Sequence, residues 1–314
     1  MPILLSRKGC PMRRFLARRF FARILPDGWI PYVLHLRPRA WAIVTAHMSV
    51  GFLLANGLDL SSNRLGRWAL AALSWGMLGN GGTLALNSAF DRDEGDIGYL
   101  DDPPSVPRYL ALFALALMAL GIPIALALGY RFSIAYGICF VMSLLYSVPP
   151  FRFKARAGLD ILINATGFGG LTIYAGWAAT AQPLAAPIVN VVAAFFCFFV
   201  GFYPLTQIYQ MAEDAERGDH TLALALGKQN ALRLGLLGVG MGFVFLALEV
   251  VQRYWAWRSA GLVVALLAWS AVLIPWYLRR WRADVAYEQR GFYRALYAWA
   301  LTDVAALVAM MPLG

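Results

Sequence analysis

The chain has 314 residues, 60% of them hydrophobic and only 14% charged, with a formal net charge of +10 and a mean hydropathy of +0.60. A soluble domain carries about 25% charged residues and under about 50% apolar ones, so a soluble globular protein is excluded. The apolar surplus comes in continuous blocks of about 20 residues, the length that crosses roughly 30 Å of hydrocarbon. Such blocks mark helices, not the alternating strands of a membrane barrel.

Residues 1–36 are basic and aromatic, with Arg7, Lys8, Arg13, Arg14, Arg18, Arg19 and Arg23 interleaved with Phe15, Leu16, Phe20, Phe21 and Ile24. Their spacing predicts an amphipathic helix lying in the headgroup region at the cytoplasmic interface. A cleaved signal is a poor match, because no apolar core of 7–15 residues follows the charges. Residues 37–314 then read as one membrane domain. Apolar runs predict nine transmembrane helices, over 38–57, 68–90, 107–128, 132–149, 159–180, 186–212, 229–251, 257–278 and 291–312. Pro38 and Pro107 stand where a first helical turn needs no N–H. The many glycines inside the runs permit close helix packing in lipid. Cys10, Cys139 and Cys197 are far apart, without the spacing of a zinc site or disulfide framework.

Lysine and arginine set the orientation. Twenty-two of the 27 fall on the face that holds the N-terminus and the loops after the second, fourth, sixth and eighth spans, and five on the other. That asymmetry predicts a cytoplasmic N-terminus and an outside C-terminus, and a basic surface facing a lipid bilayer and not nucleic acid.

The acids gather on the same face. The second span stops in Asn87-Ser-Ala-Phe-Asp91-Arg-Asp93-Glu94-Gly-Asp96, with Asp101 and Asp102 beyond. The sixth runs into Gln207-Ile-Tyr-Gln210-Met-Ala-Glu213-Asp214 and on to Thr221. Between them lies the basic stretch Tyr146-Ser-Val-Pro-Pro-Phe-Arg152-Phe-Lys154-Ala-Arg156. Asn87 and Asp91 are four apart, as are Gln210 and Asp214, and Gln207 precedes Gln210 by three, so each set lines one face of a helix end. Carboxylates at the mouth of a membrane helix are costly unless they pair, bind a cation or reach water. Oxygens converging from two helices suit Mg²⁺, which takes a few carboxylates and keeps its other positions for water and phosphate. A basic loop beside them suits an anion, and the set reads as a site for a magnesium-bound diphosphate.

At these residues the chain resembles the UbiA-type membrane prenyltransferases. The family's first motif, Asn-Asp-x-x-Asp-x-x-x-Asp, is matched by Asn87 to Gly95. Its second, Asp-x-x-x-Asp with a following glycine and Thr-Leu-Ala, is matched by Gln210 to Asp214, Gly218 and Thr221-Leu222-Ala223. Its Tyr-Ser-x-Pro-Pro stretch is matched at Tyr146, and the Arg-Pro that opens its first helix at Arg37-Pro38. Ser88, Gly95 and Gln210 stand where the family carries acids.

The resemblance implies nine helices around a central cavity and transfer of a prenyl group from a prenyl diphosphate to a hydrophobic acceptor, whether aromatic, tetrapyrrole or isoprenoid. It implies Asn87, Asp91 and Asp214 as ligands of Mg²⁺, and Asp91, Asp214, Arg152 and Lys154 as the catalytic set acting on the departing diphosphate. Phe90, Tyr146, Tyr203, Gln207, Tyr209 and Gln210 lie nearest the motifs as substrate-binding candidates. An intramembrane terpene cyclase, or an isoprenoid-binding or transport protein on the same scaffold, are the rival readings. His220 is the histidine beside the motifs; His35 and His47 give no comparable signal.

Overall fold

The computed structural model describes residues 26–59, 61–91, 100, 103–216, 218–253 and 256–312. Most of the basic N-terminal segment, and Asp93, Glu94, Asp96, Asp101 and Asp102 of the first acid loop, lie outside the described residues. Apart from an isolated bridge, described below, the described regular structure is helical.

A short helix α1 (Ile30–His35) leads into α2 (Pro38–Asn56), with Pro38 in its first turn. Helix α3 runs unbroken through Ser62–Ala71, a wider π-helical stretch Ala72–Gly79, and Asn80–Asp91. Helices α4 (Leu110–Leu128) and α5 (Tyr130–Ser147) follow. Helix α6 joins Leu159–Asn164, a second π-helical stretch Ala165–Leu171, and Thr172–Ala178. Next come α7 (Ala186–Ile208), the short α8 (Met211–Glu216), α9 (Leu222–Arg253), α10 (Ala260–Leu278) and α11 (Val285–Met310). Helices adjacent in sequence pack as neighbours, α11 closes back on α2, and α2 crosses α6.

Four segments, Leu110–Leu128, Ala186–Ile208, Leu222–Gln252 and Trp257–Leu278, are long and apolar enough to cross a membrane. Outward side chains agree: Leu112, Leu126, Leu237 and Leu267 are 66%, 64%, 71% and 62% exposed, which only lipid makes tolerable. The protein is an integral membrane protein.

Several boundaries differ from the sequence reading for local reasons. Helix α11 begins at Val285, not 291, because the Asp284 carboxylate accepts the Tyr287 N–H at 2.7 Å and caps it; the charges of Glu288 and Arg290 hid that turn. Helix α7 stops at Ile208, not 212, where the chain turns at Tyr209 and Gln210 before starting α8. Gln210 and Asp214 therefore do not share a helix end with Gln207. Helix α9 starts at Leu222 and breaks at Gly227, whose φ of 70° favours glycine.

Crossing of α2 and α6 depends on two reciprocal glycines. A Cβ at Gly51 would collide with the Ile173 carbonyl, and one at Gly176 with that of Met48. Each backbone occupies the space of the other's missing side chain. Gly51→Val and Gly176→Val are each expected to cost more than about 3 kcal/mol, the upper range for overpacking, seen as loss of monodisperse protein or a large fall in detergent thermal midpoint. A midpoint unchanged in both would contradict this packing.

Two arginines at the end of the helices opposite the acid motifs serve as helix caps. Arg67 donates to the Ala179 and Leu128 carbonyls, both at 2.7 Å, at the ends of α6 and α4. Arg258 donates to Val308 and Met311, at 3.0 and 2.6 Å, at the end of α11. Cations there complement helix C-termini, which accounts for basic residues on the poorer face.

Helix α1 is docked by His35, fully buried, whose Nε2 lies 3.1 Å from the Pro104 carbonyl. Burial lowers the imidazole's pKa; the Pro104 bond works against that shift, and the Arg37 cation adds to it. The folded protein thus holds His35 neutral, and this stability is full above the unfolded value of about 6.5 and declines as pH falls below it. The thermal midpoint is expected to drop between pH 7.5 and 5.5, and by less in His35→Gln. An equal drop in both would remove His35 as the cause.

Candidate active site

Three segments meet at one end of the helices: the last turns of α3, the loop between α5 and α6, and the stretch from the end of α7 to the start of α9. Asn87 and Asp91, one turn apart on α3, turn their oxygens toward one cation. Lys154 Nζ donates to Asn87 Oδ1 at 3.0 Å and forms an ion pair with Asp91 Oδ1. Ser147 Oγ lies 3.4 Å from the same Asn87 oxygen. The helical spacing of Asn87 and Asp91 therefore places both on a common face, as their sequence separation requires.

Arg152 links this face to the second motif. Its Nη2 stands 3.7 Å from Asp91 Oδ1 and 3.9 Å from Asp219 Oδ1. The residue takes a left-handed backbone conformation, φ 38° and ψ 52°, which costs an L-residue about 1–2 kcal/mol. That cost is borne where the guanidinium is aimed between two acid loops.

Asp160 holds the arrangement together. Its carboxylate is fully buried and accepts four hydrogen bonds. Oδ1 accepts from Gly158 N at 2.9 Å and Ile161 N at 2.8 Å. Oδ2 accepts from Gln207 Nε2 at 3.0 Å and Leu222 N at 3.1 Å. The other end of the Gln207 amide accepts from Ala223 N at 3.1 Å. One buried carboxylate thus ties the basic loop to both ends of the second motif. A parallel bridge between Arg156 and His220, with His220 N donating to the Ala155 carbonyl at 3.3 Å, adds a second tie.

The remaining site residues take several positions. Asp214 is buried and accepts from Thr221 Oγ1 at 3.3 Å. Gln210 sits in the turn, its carbonyl accepting the Asp214 N–H at 2.9 Å. Gln207, named as a substrate contact from its spacing, has its amide committed at both ends within the protein. Tyr146 and Tyr203 meet hydroxyl to hydroxyl at 3.2 Å just inside the polar cluster. Tyr209 packs on Phe292 at 5.8 Å, and Phe90 packs in an apolar cluster with Leu36, Leu110 and Met118. His220 is exposed.

Two participants were not singled out from sequence, and a third, Arg37, was matched only as the opening of the first helix. Asp160 read as one acid after a basic loop, and Asp219 as one more loop acid. Arg37, buried, donates from Nη2 to Ser88 Oγ at 3.0 Å. Ser88 is the position where the resemblance leads one to expect an acid, and a cation now addresses a hydroxyl there.

Among the described residues no group of three His, Cys, Asp or Glu side chains converges as a metal cluster. The donor chemistry still fits a cation with few protein ligands. An amide oxygen and a carboxylate oxygen already converge on an ammonium, and Asp219 stands across Arg152 from them. Such a sparse oxygen set is what Mg²⁺ takes when phosphate oxygens and water complete its octahedron.

Residues 42–300 match the UbiA prenyltransferase family. A lycopene elongase/hydratase of Haloferax volcanii is 25% identical, with 77% of this chain and 88% of that protein covered. The bacteriochlorophyll synthase 34 kDa chain of Chloroflexus aurantiacus is also 25% identical, covering 79% of this chain and 80% of that one. Among solved structures, a UbiA homolog from Archaeoglobus fulgidus bound to GPP and Mg²⁺ superposes with a TM-score of 0.65 at 22% identity, over 86% of this chain and 99% of that one. A digeranylgeranylglyceryl phosphate synthase gives 0.68 at 14% identity, over 90% and 98%. The family match spans most of the chain and the fold coincides, so the chain belongs to the UbiA prenyltransferase family.

Proposed function

We propose that this protein ionises a prenyl diphosphate at the cytoplasmic ends of its helices and passes the prenyl group to a hydrophobic acceptor within the membrane. The observation that supports this most strongly is the convergence of Asn87 and Asp91 with Lys154, Arg152 and Asp219 directly above the Tyr146–Tyr203 pair. Breaking the allylic C–O bond puts negative charge on diphosphate and positive charge on carbon. Arg152 and Lys154 donate to the diphosphate oxygens as that charge develops. Asn87, Asp91 and Asp214 would hold a Mg²⁺, which when bound would supply further positive charge to the leaving group.

Below the cluster the aromatic rings of Tyr203, Phe199, Phe168 and Trp299 form a continuous column. Their faces stabilise an allylic cation, and their bulk keeps water from it. In this reading all nine long helices span the bilayer around that column, as one domain over 37–314. Residues 1–36 lie on the cytoplasmic surface, and the C-terminus is outside, as the distribution of Lys and Arg requires. Similarity to a lycopene elongase/hydratase and to a bacteriochlorophyll synthase supports an acceptor of isoprenoid or ring-bearing lipid type.

The test is product analysis. Purified protein is supplied with Mg²⁺, a membrane lipid extract and dimethylallyl, geranyl or geranylgeranyl diphosphate. New lipids heavier by one prenyl unit are expected by mass spectrometry. Diphosphate release with only cyclised donor would instead establish the terpene cyclase. No conversion of any donor would leave a binding protein.

A further inference from the structure

Joining a prenyl cation to a carbon or hydroxyl of an acceptor leaves one proton over, whereas a carboxylate acceptor leaves none. At membrane depth no bulk water takes that proton, so the protein must offer a lone pair. His47 offers one. It lies midway along α2, about 14 Å from the helix start at 1.5 Å per residue, and is 1% exposed. Its Nδ1 is 2.9 Å from Asp303 Oδ1 on α11. An ionised carboxylate only accepts, so in the neutral form of this imidazole Nδ1 carries the hydrogen and Nε2 the lone pair. Nε2 is buried with no hydrogen-bond partner among the described residues. A buried lone pair left unmatched is costly, and in an intramembrane ionisable pair it points to a function.

The surroundings suit a cation. The His47 ring stacks on Phe168 at 5.1 Å and 8°, and meets Trp299 edge-on at 5.3 Å. Both rings touch Phe199, which stacks on Tyr203 at 6.0 Å. The aromatic column therefore runs from the diphosphate cluster to the His47 ring.

We propose that His47 is the proton acceptor of the transfer, oriented by Asp303, and that the acceptor is a lipid that loses a C–H or O–H proton. This rests on the prenyl-transfer reading above. Once the new bond to the prenyl carbon has formed, the acceptor's C–H or O–H bond breaks. Its electron pair closes a double bond or restores a neutral oxygen, and the proton moves to Nε2. The resulting imidazolium is paired with the Asp303 carboxylate.

The test uses native membranes, which contain the acceptor, carrying wild type, His47→Gln or Asp303→Asn in equal amounts and supplied with radiolabelled dimethylallyl, geranyl or geranylgeranyl diphosphate. In His47→Gln, label in prenylated lipid is expected to fall about 100-fold, the range of a lost general base. Diphosphate release should fall far less, the excess prenyl leaving as alcohol, so the ratio of diphosphate to product rises at least about tenfold. That residual release also shows the variant is folded. Asp303→Asn, which keeps the shape but reverses the hydrogen bond, is expected to shift the ratio in the same direction. A ratio unchanged in both variants would overturn the proposal and leave the pair as a helix-to-helix tie. Wild type releasing no diphosphate would overturn the prenyl-transfer reading itself, and this proposal with it.

Discussion

Asp160→Asn is expected to lower kcat/KM for the prenyl diphosphate by about 100-fold, without touching a residue that meets the reacting carbon. Asparagine retains one acceptor oxygen, enough for Gly158 N and Ile161 N, but places an NH₂ where Oδ2 now accepts from Gln207 Nε2 and Leu222 N. Two donors then face a donor. Gln207 can turn its amide over only by abandoning Ala223 N. Leaving one buried N–H unmatched costs about 1–3 kcal/mol, and the loop carrying Arg152 and Lys154 loosens from the second motif. A displacement near 1 Å at such groups suffices for a loss on the order of 100-fold. Trypsin provides the independent readout: cleavage after Lys154 or Arg156 should accelerate in the variant while the protein inserts as before. Full activity with unchanged cleavage would show that Asp160 does not hold the loop.

Asp91→Ala and Asp214→Ala are expected to have the largest effect, each lowering turnover by about 1000-fold, the upper range for losing a group that stabilises developing charge, here through the cation the carboxylate would hold. The two losses differ in cause. Removing Asp91 deprives Lys154 and Arg152 of the carboxylate they share, leaving an excess of positive charge there until diphosphate binds. Donor affinity in that variant should fall less than turnover. Removing Asp214 takes the buried partner of Thr221 and with it part of the hold on the second loop. Steady-state kinetics with geranyl diphosphate separate kcat from KM in each; activity retained in both would remove these acids from the site.

The long helices were legible because lipid enforces continuous apolarity, and most helix ends fell within a few residues. The exceptions are the starts at Ser62, Leu222 and Val285, where polar or kinked turns extend the helix beyond the apolar run, and the end at Ile208, where a turn at Tyr209 interrupts the polar spacing. The site was legible where side chains on one helix act together: Asn87 and Asp91 share a face because they are four apart. What spacing did not show was the long-range pairing. Asp160 meets Leu222 across 62 positions, Arg37 meets Ser88 across 51, and His47 meets Asp303 across 256. No local periodicity carries such a contact, since it depends on which helices become neighbours. Gln207 shows the converse: its place beside the motif was visible, but its engagement with a buried carboxylate was not.

In the proposed reaction Asn87, Asp91 and Asp214 form a cation-dependent diphosphate site. Its most direct measurement is diphosphate release from geranyl diphosphate by liposome-reconstituted protein, with Mg²⁺ or with EDTA, and with Asp91→Ala alongside. Release that rises with Mg²⁺, ceases in EDTA and is absent from Asp91→Ala is the expected result. Release that proceeds equally in EDTA, or equally in Asp91→Ala, would contradict it.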